Sequence, residues 1–385
     1  MKKNFLILGG YGNSGLLLAK LILKESDSTV ILAGRSSDKA KAAAEELNRQ
    51  YPEARVIARR VDITDPSSLN EAFNEVDMVI LAAGSTKDTV NVAKAAIAAG
   101  VDYYDIQLST STKINALKAM EKEIQQAGLC FITDGGFHPG LPALLVRYIA
   151  PYFDRLESAN VGSVILEDFK EYPITQSNAQ GFLEDLKDWR MDAFVGGQWK
   201  KGYYQKKFDF GPVFGKRNTT HMYMEEMRLV PELIPSLEET GFYVGGFNWL
   251  MDYIVLPLAF ISLKVRPEKT VPQVARLAAW AMNSMSKPPY ITILKLEANG
   301  WKNYKPVKAE LAISHLDGYA FTVIPVMACL LQYLNSDIRK PGLFYQAHLP
   351  EPRQMLLDME KMGVKIELAG TASLELSTIT DTILK

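Results

Sequence analysis

A short apolar run, Phe5-Leu6-Ile7-Leu8, passes directly into Gly9-Gly10-Tyr11-Gly12-Asn13-Ser14-Gly15, and an apolar helical repeat follows through Leu16, Leu17, Ala19 and Leu23. Glycines at positions 10, 12 and 15 have G-x-G-x-x-G spacing between a predicted strand and a predicted helix, which narrows the fold more than any other feature of the chain. Each has a mechanical task. Gly10 permits the tight strand-to-helix turn, Gly12 lets backbone approach a pyrophosphate, and Gly15 lets the helix pack closely on the strand. The anion then rests against the free amides and positive dipole of the helix start. Gly10, Tyr11, Gly12, Asn13, Ser14 and Gly15 are therefore the expected dinucleotide cradle.

The pattern that follows repeats strand and helix. Residues 29–33 read as a second strand, 38–50 as an alanine-rich helix, 55–61 as a third strand, and 76–82 as a fourth. Helices over 88–99 and 113–127 lead through Gly100 and Gly128 to strands at 102–107 and 129–133. Six strands alternating with helices imply an α/β fold, a doubly wound parallel sheet of the Rossmann type. After the second strand comes Gly34-Arg35-Ser36-Ser37, where an NAD enzyme usually carries an acid for the ribose 2′-hydroxyl. The acid is missing and Arg35 is present with Ser36 beside it, so NADP is the expected cofactor. Asp62 and Ile63 end the third strand at the adenine edge, where Asp62 can either reach the base or belong to a simple helix start with Asp65 and Pro66. Ala83 and Gly84, after the fourth strand, are expected to face the cofactor because ligands collect at the carboxyl ends of such strands.

Composition excludes several classes. In 385 residues, 43 basic and 44 acidic side chains leave no net field to attract a nucleic acid. The length suits two domains on a prior of about 100 to 200 residues each. Two cysteines, Cys130 and Cys329, both sit in apolar stretches and read as buried thiols of a reducing, cytoplasmic compartment, with neither disulfide nor metal spacing. The start lacks the apolar core of a signal peptide, and the most apolar later run, 253–263, contains Pro257 and is too short to span a membrane. That run reads as core or subunit interface.

A second signature, Asp134-Gly135-Gly136-Phe137-His138-Pro139-Gly140-Leu141-Pro142, falls where the sixth strand should release the chain. Its glycines and prolines specify an unusual backbone path that presents Asp134 and His138. Gly136-Phe137-His138-Pro139-Gly140 resembles the G-[FL]-D-P-G turn of the saccharopine dehydrogenase-like family. The resemblance extends to the opening glycines, to Gly100-Val101-Asp102-Tyr103-Tyr104-Asp105, and to the tail from Lys340-Pro341-Gly342 through Gly363. One position departs from it: the family has Asp where this chain has His138. Either the turn is held less well, or a group that titrates near neutral pH replaces one that is always ionised.

The remainder reads as a second α+β domain with a mixed or antiparallel sheet. Strands are expected at 158–166 and in a pair, 290–297 and 307–314, joined by a turn at Ala298-Asn299-Gly300, with helices over 179–190, 272–285 and 319–334. The resemblance implies that this domain binds substrate and forms a homodimer, and that the tail packs back on the nucleotide domain. The expected division is 1–140, completed by 341–385, and 141–340. Nothing suggests a hydrolytic triad or a metal centre, so the expected activity is NADP-dependent hydride transfer on a small-molecule substrate. His138 is the first candidate for the proton donor, with Tyr104, Asp105 and Asp134 in reserve. Within the family's range, a C=N bond joining an oxo acid to an amine would call for cations such as Arg217 and Arg228, and an enoyl lipid for an apolar channel such as 247–263. A non-catalytic NADP-binding redox sensor is the third reading.

Overall fold

The computed structural model describes residues 2–51, 55–82, 86–171, 173–186 and 190–370. The described residues divide into two compact units, residues up to Leu144 with Tyr319–Met362, and Leu145–Gly318 with residues 363–370. Relative to the expected division, residues 319–340 group with the first unit and residues 363–370 with the second.

In the first unit the chain runs β1 (Asn4–Leu8), α1 (Asn13–Glu25), β2 (Thr29–Gly34), α2 (Ser37–Gln50), β3 (Val56–Arg60), α3 (Pro66–Ala72), β4 (Met78–Leu81), α4 (Thr89–Ala99) and β5 (Asp102–Asp105). It continues with α5 (Ser111–Ala119), α6 (Glu121–Gln126), β6 (Cys130–Thr133) and α7 (Pro142–Ile149). The six strands stand in the order β6-β5-β4-β1-β2-β3, all parallel, and a seventh, Gly342–Tyr345, adds beside β6. β1 is sequestered on both faces, with Phe5, Leu6, Ile7 and Leu8 all fully buried, as the unbroken apolar run requires of a central parallel strand. The single helix expected over 113–127 is two, divided at Met120, whose own side chain turns into the core. Cys130 and Cys329 are buried and free.

The late return of the chain is held by Asp102 at the start of β5. Its buried carboxylate accepts from the Cys130 amide at 2.8 Å, the Tyr333 hydroxyl at 2.6 Å and Arg339 Nε at 2.8 Å. Tyr333 belongs to the helix Gly318–Leu334, which is how that helix comes to be part of the nucleotide unit.

The second unit is built on a mixed sheet: β7 (Arg155–Leu166), β8 (Asp192–Val195), β9 (Trp199–Lys201), β10 (Gln205–Asp209), β11 (Lys216–Met222), β12 (Glu239–Gly245), β13 (Ile291–Lys302), β14 (Lys305–His315) and the last strand, Lys365–Gly370. β7 and β12 are parallel neighbours, and β7–β13, β13–β14 and β14 with the last strand are antiparallel. The turn expected at Asn299-Gly300 is not there. Both residues lie inside β13, at a register shift against β7, and the chain reverses at Asn303 and Tyr304, whose φ values of 50° and 61° suit a two-residue hairpin turn. Gly300 is small for another reason: a Cβ there would lie 2.2 Å from the Arg155 carbonyl oxygen. An Asn-Gly pair marked a bulge between crowded strands, not a hairpin.

His221 on β11 lies over Gly241 of β12, where a Cβ would come within 2.9 Å of the ring, and meets Tyr243 edge-on at 5.3 Å. Its Nδ1 is buried without a partner, and burial pulls its pKa down to about 4, against a smaller opposing pull from Asp192. The unfolded chain takes up this proton first, so the stability present above about pH 6.5 is lost as pH falls toward 4. The expected loss from this group between pH 7.5 and 5 is about 2 kcal/mol. Urea titrations at the two pH values should therefore show a smaller pH-dependent loss for His221→Phe than for the native chain.

Candidate functional site

The glycine turn is tight enough that its sequence admits few alternatives. Gly9 takes φ 84°, a left-handed conformation that the spacing rule did not assign to it, and a Cβ on Gly15 would stand 2.3 Å from the Gly9 carbonyl oxygen. α1 therefore starts against the turn itself. Gly12 is its N-cap, no side chain caps it, and its first turn carries no acid. The amides of Asn13, Ser14 and Gly15 face an approach that neither a capping oxygen nor a like charge obstructs, which fits a pyrophosphate.

Beside this turn stands the end of β2. Gly9 and Gly10 donate their amides to the Ala33 carbonyl at 2.9 and 3.1 Å, and the Ser36 amide donates to the Tyr11 hydroxyl at 3.1 Å. Arg35 is exposed, and Ser36 caps α2, accepting from the Lys39 amide. Asp62 turns its Oδ1 back on Thr64, accepting from the amide at 3.0 Å and the hydroxyl at 2.7 Å, and Asp65 caps α3. The Thr64 hydroxyl, then its amide, hold the Asp62 carboxyl below its usual range, with Arg35 and Arg60 adding to the pull. Ile63 packs on the core of the unit. Ala83 and Gly84 lie outside the described residues.

At the carboxyl ends of β5 and β6 the chain buries three charges together. Lys113, in the first turn of α5, is 0% exposed and places Nζ 2.8 Å from Asp105 Oδ1, 2.7 Å from Asp134 Oδ1 and 3.2 Å from the Gln107 carbonyl oxygen. Three ammonium protons thus meet three acceptors. Burial alone would lower its pKa, but the charges of Asp105 and Asp134 outweigh that and raise it. Asp105 also receives the Tyr103 hydroxyl at 3.1 Å and the Thr133 hydroxyl at 2.7 Å. Asp134 is less well served. Its φ is 58°, its Oδ2 is buried without a partner, and burial pushes its carboxyl up, with Lys113 pulling down and Asp105 pushing further up.

The turn that follows is held by one amide side chain. Gln346 Oε1 accepts from the Gly136 amide at 3.0 Å and the Tyr104 hydroxyl at 2.6 Å, and its Nε2 donates to the carbonyls of Gly136 and Gly140 at 2.9 and 3.1 Å. Gly136 and Gly140 have φ values of 129° and 121°, which only glycine adopts without cost, and the His138–Pro139 bond is cis. His138 is half-buried beside Phe137, and burial pulls its pKa down to about 4. Tyr104 does not fill the role of a proton donor to a substrate: its hydroxyl is committed to Gln346, and burial pushes its pKa well above the phenol range. Arg228 is bonded to Glu225 and Glu232 at 2.7 and 2.9 Å, and Arg217 Nε to the Phe214 carbonyl, so neither is held ready for a substrate carboxylate.

Lys113 and Gln346 escaped the sequence reading. The signal for Lys113 is that it shares the buried face of α5 with Ile114 and Leu117, an unusual place for a lysine that has no acid to meet. Gln346 has no local signal.

A parallel sheet with an uncapped, glycine-led helix start and a cationic loop in place of the ribose-binding acid defines an NADP-dependent oxidoreductase of the Rossmann type. Residues 5–132 match the family model described as saccharopine dehydrogenase NADP binding domain. Over 397 aligned residues the chain is 25% identical to carboxynorspermidine synthase of Vibrio cholerae serotype O1 (strain ATCC 39315 / El Tor Inaba N16961), covering 92% of this chain and 94% of that protein. Its fold is similar to that of apo saccharopine dehydrogenase (L-Glu forming) from Saccharomyces cerevisiae, with a TM-score of 0.68 at 16% identity over 96% of this chain and 100% of that one. Residues 5–132 therefore carry the NADP-binding domain of the saccharopine dehydrogenase family, and the chain as a whole is similar to members of it.

Removing the cation from the buried cluster should be costly. Lys113→Met leaves Asp105 and Asp134 facing each other without compensation, an expected loss of about 3–5 kcal/mol. Urea unfolding measures it, and adding Asp134→Asn to the same chain should restore part of the loss by removing one stranded charge.

Proposed function

We propose that the chain reduces a C=N bond of an amino-acid-derived substrate at the expense of NADPH, and that Asp134 supplies the proton. The nucleotide would be held by the amides of Asn13, Ser14 and Gly15 and by Arg35 and Ser36, and when bound it supplies the hydride. An imine carbon accepts hydride readily once its nitrogen is protonated, so the protein's task is to hold a proton at neutral pH and release it at one atom. The observation that carries the reading is the Asp134 carboxyl, lifted by burial and left with an unpartnered Oδ2 while Lys113 fixes its Oδ1. A carboxyl lifted in this way holds a proton to a higher pH than an exposed one does. His138 is the poorer choice, since a ring that titrates at about 4 is neutral at pH 7 and has no ionised proton to give.

The likeness to carboxynorspermidine synthase supports the C=N reading over an enoyl substrate. Purified chain and NADPH, followed by absorbance, decide between them: turnover is expected with oxo acids mixed with amino acids or polyamines. Turnover with enoyl thioesters alone, or tight NADPH binding with no turnover in either pool, overturns it. In the active pool, Asp134→Asn should lower kcat by about 10²–10³ while leaving NADPH affinity unchanged. Native kcat should fall as pH rises through the raised pKa of Asp134.

We also propose a cytoplasmic homodimer in which the second unit carries both substrate recognition and the subunit contact. Among the described residues no helix is long and apolar enough to cross a membrane. Yet the helical stretch Met251–Val255 and Leu256–Ser262 and the neighbouring helix Pro267–Met285 leave Tyr253 79% exposed and Ile261, Trp249 and Trp280 more than half exposed. An apolar face of that kind marks an interaction site. Sedimentation velocity should find a dimer for the native chain and a monomer for Tyr253→Glu combined with Ile261→Glu.

A further inference from the structure

Tyr11 stands between the first two glycines of the turn, a position at which the spacing rule accepts any residue. Two contacts make it specific here. Its hydroxyl accepts the Ser36 amide at 3.1 Å, and its ring lies against the α-carbon of Gly34, where a Cβ would come 2.5 Å from Cε1, 2.6 Å from Oη and 2.7 Å from Cζ.

Gly34 is the last residue of β2, the place from which a carboxylate would read a free ribose 2′-hydroxyl. Its φ is not in the left-handed region, so the backbone would tolerate a side chain there. The ring is what stands in the way. The hydroxyl has a complementary property. A phenol oxygen both accepts and donates, and with its acceptor side engaged by the Ser36 amide, its own hydrogen is left to point toward whatever the Arg35-Ser36 loop binds. The turn and the loop are further fastened by the Gly9 and Gly10 amides on the Ala33 carbonyl, so this donor is held in place before any ligand arrives.

We infer that Tyr11 sets the cofactor choice: its phenolic hydrogen bonds the 2′-phosphate of NADP, and its ring denies position 34 to the carboxylate that NAD would need. This rests on the reading of Arg35 as the phosphate's cationic partner. A hydrogen bond to a charged acceptor is worth enough that its loss should weaken binding about tenfold or more.

The test is a fluorescence titration of the full chain with NADPH and with NADH. Tyr11→Phe keeps the ring and should weaken NADPH about tenfold while moving NADH less than twofold. Gly34→Asp alone sets the new carboxylate and the ring in competition for one volume, so its NADH affinity should stay about tenfold below that of Tyr11→Ala with Gly34→Asp. The inference is overturned if Tyr11→Phe leaves NADPH affinity intact or weakens both nucleotides equally, or if Gly34→Asp alone matches the double variant. Arg35→Ala separates the two levels: if it abolishes the preference for NADPH while Tyr11→Phe does not alter it, Tyr11 is only a spacer and the arginine reading stands. If Arg35→Ala changes nothing, the loop reading itself fails.

Discussion

One buried ammonium group holds the working end of the nucleotide unit together. Lys113 sits where two carboxylates from adjacent strands, Asp105 and Asp134, point at the same dry space, and neither could be kept there without it. The attraction is strong because water is excluded, and the desolvation is correspondingly large, so such a cluster contributes specificity of arrangement more than net stability. The share-out is unequal. Asp105 has Lys113 and two hydroxyls to spread its charge over, whereas Asp134 has one firm partner and an oxygen with none. Burial, the largest cause, accordingly lifts the Asp134 carboxyl above the usual carboxylate range.

At the other end of the cofactor's path the constraint is contact rather than charge. Gly15 is pressed on the Gly9 carbonyl, Tyr11 on Gly34, and the two loops share the Ala33 carbonyl as a common acceptor. Close backbone approach and a fixed phenol together make the strand-to-helix turn and the following strand end one rigid surface. The Gly136–Gly140 turn follows the same design with a different fastener, since Gln346 satisfies two carbonyls and an amide with one planar group.

The parts of this architecture visible in the sequence are those that repeat or that glycine enforces. Strand and helix periods gave the sheet because each element buries a face set by its own neighbours. The glycine turn was legible because few other residues fit, although the left-handed residue proved to be Gly9, one place ahead of the spacing motif. What was hidden depends on residues far apart in the chain. Gln346 meets Gly136 and Tyr104, and Tyr333 and Arg339 meet Asp102, with no local pattern to announce either. Asn299-Gly300 misled for a related reason: the glycine answers to a strand contributed by Arg155 and its neighbours, and only the assembled sheet reveals that. Tyr104, set in a motif that reads as chemical, is instead bound into the support of the turn.

The position of the strand Gly342–Tyr345 bears on how the protein is made. It completes the parallel sheet beside β6, yet the ribosome delivers it only after residues 145–318, most of the second unit, have been made. Until then the edge of β6 has no strand beside it, Gln346 cannot fasten the glycine turn, and Asp102 lacks Tyr333 and Arg339. The first unit therefore cannot mature in the order of its synthesis. Its glycine turn can form early from residues close in sequence, but the end that bears Asp134 and His138 must wait, so a nascent chain stalled in the second unit has the first glycine turn in place and the Gly136–Gly140 turn unfastened.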